Sequence, residues 1–143
     1  MSSTHHRHDT PRAMARVIAM LLCAHERDSE AEGRMLRELD VFQRLGLTVD
    51  EFDRVVEQSR RSGLADLSLR TYPNLDDLER FDELLDAVRD PHHRIWLCRV
   101  ASCVITLDGR VGTLESTLYD RMLTRWGHTR TSISRAILED HAY

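Results

Sequence analysis

Leu45-Gly46-Leu47-Thr48-Val49-Asp50-Glu51-Phe52 is the stretch in which this chain declares its fold class. Gly46 follows apolar residues at helical spacing and supplies the left-handed residue that ends a helix. Thr48 and Glu51 form a capping box, the hydroxyl and the carboxylate each accepting from a backbone N–H at the other's position. Phe52 then opens the apolar face of the next helix. A helix stop set directly against a helix start leaves no room for a strand.

Upstream, Met35, Leu36, Leu39, Phe42 and Leu45 share one face of a helix that ends at Gly46. An acidic turn, His25 to Glu32, precedes it. Before that turn, Met14, Val17, Ile18, Leu21 and Leu22 mark a helix from Arg12 to about Ala24, with Pro11 at its start and residues 1–10 as a disordered tail. Downstream, Phe52, Val55 and Val56 face inward, and Ser62 to Tyr72 reads as a loop with one short helical turn. Leu75, Leu78, Phe81, Leu84, Leu85 and Val88 describe a fourth helix. Asp90-Pro91, an N-cap and a first-turn proline, opens a fifth that runs to about Leu107 and is apolar nearly all round, which predicts a central position. A second turn, Asp108 to Glu115, leads to a sixth helix stopped at Gly127, and a last one covers about Thr131 to Glu139. No segment alternates with period two. The prediction is an all-α domain over residues 11–143 with about seven helices.

The features also recur in order. At a shift of 81 residues Leu45-Gly46-Leu47-Thr48 falls on Trp126-Gly127-His128-Thr129, and Phe52, Val55 and Val56 fall on Ile133, Ala136 and Ile137. Earlier positions align at a shift of 83: Val17 on Val100, Leu21 on Val104, Leu22 on Ile105, His25 on Asp108 and Glu32 on Glu115. A net deletion of two residues in the unit's second helix reconciles the shifts. Two pseudo-repeated three-helix units are therefore expected, joined by a linking helix.

Composition excludes several function classes. Hydrophobic residues at 41% and charged residues at 31% describe a folded domain, not a disordered chain. All 20 basic residues are arginine, spread along the chain, and the formal net charge is −4, which argues against nucleic acid as a partner. Val17 to Cys23 is too short to span a bilayer, and the first ten residues lack the order of a secretory signal, so cytoplasm is the expected compartment. Cys23, Cys98 and Cys103 lie in apolar helical stretches and read as buried, reduced thiols. Trp96 and Trp126 read as core, and His92 and His93 as surface.

Helix, Asp-Gly-x-Val-x-x-x-Glu, helix, then Leu-Gly-Leu-Thr-x-x-Glu-Phe resembles the TerB-like domains of tellurite-resistance proteins; here those features are Asp108 to Glu115 and Leu45 to Phe52. The resemblance covers most of residues 12–140. It implies an all-helical fold with two similar halves, a link to bacterial stress response, and turn acids proposed to bind metal. Carried over by position, those acids are Asp108 and Glu115 in the second turn and Glu32 in the first. His25 stands where the family has aspartate and Glu26 where it has glycine.

The residues themselves leave two readings open. A tight turn would bring Asp108 and Glu115 to one end of a helical pair, where two carboxylates repel unless a cation intervenes. Mg²⁺ or Ca²⁺ would suit the oxygens; His25 beside Glu26, Asp28, Glu30 and Glu32 shifts the preference toward Zn²⁺ or Mn²⁺. Alternatively Asp-Gly is simply a turn, and a first-turn glutamate complements the helix dipole. An EF-hand is excluded, because Val104 would stand at its first ligand position. No enzyme signature is present: there is no H-E-x-x-H, no di-iron E-x-x-H pair, no phosphate-cradling glycine loop and no G-x-S-x-G elbow. The expectation is a non-enzymatic TerB-like protein, with a divalent metal ion and protein partners, a homodimer among them; the rival is a metal-free helical adaptor.

Overall fold

Thr10 caps the first helix: its hydroxyl accepts from the Ala13 N–H at 3.0 Å, with Pro11 in the first helical position. The computed structural model describes residues 10–24, 29–61, 75–107 and 113–141. They form α1 (Pro11–Ala24), α2 (Ser29–Glu38), α3 (Val41–Leu45), α4 (Val49–Ser59), α5 (Leu75–Asp86), α6 (Pro91–Ile105), α7 (Thr113–Arg125) and α8 (Arg130–His141). The described residues contain no strand, so the all-α expectation holds, with eight helices in place of about seven. The expected loop at Ser62 to Tyr72 lies outside the described residues.

The extra helix has a cause. Instead of one helix ending at Leu45, the chain breaks at Leu39-Asp40, where Asp40 takes a left-handed backbone with φ 55°. This is the two-residue difference between the repeat shifts. Inserted into a continuous helix, two residues would rotate everything beyond them by about 200° and turn the apolar face outward. Ejected as a left-handed turn, they leave the face intact. Met35, Leu36, Val41 and Leu45 are buried before and after the break, as are their counterparts Leu118, Tyr119 and Met122 on the unbroken α7 and Trp126 directly after it.

The helix ends repeat at the level of single hydrogen bonds. Leu47 N–H donates to Phe42 O at 3.1 Å and His128 N–H to Leu123 O at 2.8 Å; Gly46 donates to Gln43 O and Gly127 to Thr124 O. The capping box at Thr48 and Glu51 is present in both directions, at 3.1 and 3.0 Å. At Thr129, Ser132 takes the glutamate's part: its hydroxyl accepts from Thr129 N–H at 2.9 Å, while its own N–H donates to Thr129 Oγ1 at 3.0 Å.

The first helices of the two units, α1 and α6, pack against each other, and each also packs against its own unit's third helix, α4 or α8. The prediction of α6 as central is half the picture. Of the 14 residues of α1, only Pro11, Arg12 and Arg16 escape burial, because α3, α4, α5, α6 and α7 all meet it. Its alanines look neutral in sequence, yet small side chains let neighbouring helices close in. Trp96 and Trp126 are core residues, 5% and 7% exposed. Cys23 and Cys98 are buried as thiols and Cys103 is half-buried.

The linking helix α5 packs against α1 in the first unit and α7 in the second. Asp82 and Asp86, one turn apart, receive Arg121 and Arg125, also one turn apart. Arg121 donates Nε and Nη2 to Asp82 at 2.9 and 2.7 Å, and Arg125 donates likewise to Asp86 at 2.9 and 2.6 Å. Arg125 Nη1 also stands 3.5 Å from Asp82 Oδ2. Buried Trp126 donates its indole N–H to Leu85 O at 3.1 Å, anchoring the seam from within. No described helix is long and apolar enough to cross a membrane.

Candidate functional site

The acidic turn before α2 divides once folded. Glu30 is exposed, its carboxylate 3.9 Å from the Arg34 guanidinium at the surface. Glu32, in the same first turn, is only 3% exposed. Burying a carboxylate is costly, so its place at the mouth of a helix pair is an architectural commitment. Glu115 occupies the matching first turn of α7 and is half-buried. The structure thus sets the two expected glutamates at corresponding places. Their expected companions, His25 and Asp108, lie outside the described residues, as do Glu26 and Asp28. Each described half-site offers one hard oxygen donor, and among the described residues no group of three or more His, Cys, Asp or Glu side chains comes together as a metal centre. Of the histidines at the start of α6, His92 is exposed and His93 half-buried; Asp90 Oδ1 accepts from His92 N–H at 2.8 Å, which holds its carboxyl below the usual range.

Beside Glu32 the described residues enclose a cleft of about 440 Å³ between α2 and α4. Its floor is apolar: Leu22 from α1, Leu36 from α2, and Phe52 and Val56 from α4, none more than 5% exposed. Phe42 of α3 closes one side, meeting Phe52 edge to face with ring centroids 5.5 Å apart. The walls are charged. Among the described lining residues, Asp53 and Glu57, one turn apart on the exposed face of α4, stand with Glu32 and one cation, Arg37. Val49, 51% exposed, borders the opening.

The second unit treats the same positions differently. Val49 corresponds to Arg130, and Gly33, Leu36 and Arg37 to Ser116, Tyr119 and Asp120. There Arg130 lies over the Tyr119 ring, 5.5 Å from its centroid, and donates to Asp120 at 2.9 Å and to Ser116 at 3.1 Å. An arginine of the chain itself therefore covers the groove between α7 and α8. Reasoning from sequence missed this cleft because its walls come from separate helices, each with an ordinary solvated charge pattern. The signal was in the repeat: Val49 against Arg130, and Asp53 and Glu57 against Ser134 and Leu138.

Compared with known proteins, the chain matches no protein-family model, no curated protein and no solved structure.

Proposed function

We propose that this is a non-catalytic binding protein of the TerB-like kind, holding a divalent cation at the turns that open α2 and α7 and acting through protein partners in a cytoplasmic stress response of the tellurite-resistance type. The observation that carries the reading is the corresponding placement of Glu32 and Glu115, one carboxylate at the entrance of each repeated unit's second helix. Buried thiols at Cys23 and Cys98 suit a reducing compartment. Metal analysis of protein purified without a histidine tag tests it, followed by melting with and without chelator. Bound divalent metal, and a melting point that falls on chelation, are expected; saturation at about a hundredfold over Kd would add roughly 2.7 kcal/mol. Asp108→Ala with Glu115→Ala should remove that gain. Metal-free protein with unchanged melting discards the cation and leaves the second reading, a metal-free helical adaptor. The exposed Val49 beside the apolar cleft favours that alternative, which expects a partner in a pull-down or a stable dimer.

A further inference from the structure

The two units are built alike, yet an arginine from the third helix crosses the groove of one and valine stands at that station in the other. In the second unit Arg130 extends from the first turn of α8 across Tyr119, its guanidinium held by Asp120 and Ser116. The residues at the same four stations of the first unit are Val49, Leu36, Arg37 and Gly33, and all four border the 440 Å³ cleft. An arginine stem and guanidinium have been replaced by valine, and the serine that met the guanidinium by glycine. What remains is a recess with the apolar floor retained.

The charge around the recess has changed in the complementary sense. Where the second unit has Ser134 and Leu138, the first has Asp53 and Glu57, and both line the cleft together with buried Glu32. Among the described lining residues, three carboxylates stand with one guanidinium, Arg37. Each groove has one described arginine, but Arg37 does not come from the third helix as Arg130 does, and the added acids of α4 suit a cation that arrives from outside. The volume of about 440 Å³ is that of a small-molecule site, which typically spans about 300–1,000 Å³. The ligand must offer apolar surface to Phe52, Leu36 and Val56 and a positive head to Asp53 and Glu57.

We propose that the cleft between α2 and α4 binds a small organic cation, an ammonium or guanidinium group on an apolar stem, in the position that Arg130 fills in the second unit. Recognition combines burial of the stem on the apolar floor with charge-assisted hydrogen bonds at the acidic wall. The site adjoins the first of the proposed metal turns through Glu32, but its acidic wall, Asp53 and Glu57, lies on α4 and needs no ion.

The experiment is a titration of ¹⁵N-labelled protein, followed by amide shifts, in buffer containing EDTA so that its outcome is independent of any metal. Phenethylammonium is the probe; 2-phenylethanol and 3-phenylpropanoate are its neutral and anionic counterparts. Phenethylammonium should saturate with a Kd in about the millimolar range, the strength open to a ligand of nine heavy atoms, and shift amides of α2 and α4. Both counterparts should bind at least about tenfold more weakly. Asp53→Asn with Glu57→Gln, both at exposed positions, should cost about tenfold in affinity. Val49→Arg with Arg37→Asp rebuilds the second unit's arginine–aspartate pair in the first and should abolish binding. The proposal is overturned if phenethylammonium produces no saturable shift, if the alcohol binds equally well, or if the rebuilt variant binds as the parent does. It is also overturned, in favour of a protein partner, if the peptide acetyl-Ala-Leu-Arg-Leu-Ala-amide binds more than about tenfold tighter than the amine.

Discussion

Gly46 and Gly127 hold the same left-handed backbone, φ 70° and 77°, at the same station of two matching hydrogen-bond patterns. Nothing lies within 4 Å of where a Cβ would stand on either glycine. Their requirement is therefore conformational and not steric, and both serve the same purpose: to release one helix and admit a capped successor.

Gly46→Ala and Gly127→Ala should accordingly cost similar amounts, about 1 kcal/mol each, with the effects additive because the sites belong to different units. Asparagine at either position should cost less, since it tolerates the left-handed region. Urea unfolding of the two single variants and the double variant measures this. A cost several times larger at one glycine would mean that the two turns are not equivalent.

The break at Leu39-Asp40 makes a sharper prediction. Deleting both residues should fuse α2 and α3 into one helix in the register of α7, and the protein should still unfold cooperatively. Deleting Asp40 alone should be far more damaging, because it turns Val41 and Leu45 by about 100° away from Met35 and Leu36. Circular dichroism and melting of the two deletions settle the order; greater tolerance of the single deletion would refute the account of the insertion.

At the seam between α5 and α7, Arg121 hydrogen-bonds Asp82 and holds its carboxyl below the usual range, and Arg125 does the same for Asp86. A depressed folded-state pKa means that the pairs stabilise the fold above the unfolded carboxylate value and lose that contribution as pH falls through the folded value. Stability should therefore decline below about pH 4. Asp82→Asn should flatten that decline and lower stability at pH 7 by about 1 kcal/mol. Unfolding free energies from pH 7 to pH 2.5 supply the comparison, and identical acid slopes would count against the seam.

The alkaline side is governed by other groups. Burial pushes the Cys98 thiol from 9.0 up to about 12 and the Tyr119 hydroxyl from 10.0 up to about 12. Here the folded values are raised, so their contribution is intact below pH 9 and is lost as pH climbs toward 12. Native protein at pH 8 should leave Cys98 unlabelled by a thiol reagent, and urea should expose it. Rapid native-state labelling would contradict the burial.

The sequence by itself determined the all-α class, the stops at Gly46 and Gly127, the caps at Thr48 and Asp90, and the pairing of Glu32 with Glu115 across a repeat. These features were legible because each depends on residues within a few positions of one another, where backbone sterics and local hydrogen bonds decide the outcome. It even carried the two-residue discrepancy, though not its form as a left-handed turn at Asp40. Only the tertiary structure decided that α1 is more enclosed than α6, that Asp82 and Asp86 meet Arg121 and Arg125, and that Glu32 is buried beside a cleft flanked by Asp53 and Glu57. Those facts depend on which helix faces come together. A single helix with solvated charges looks the same in sequence whether its neighbour supplies a guanidinium, as α7 does for α5, or leaves an acidic recess, as α2 does for α4.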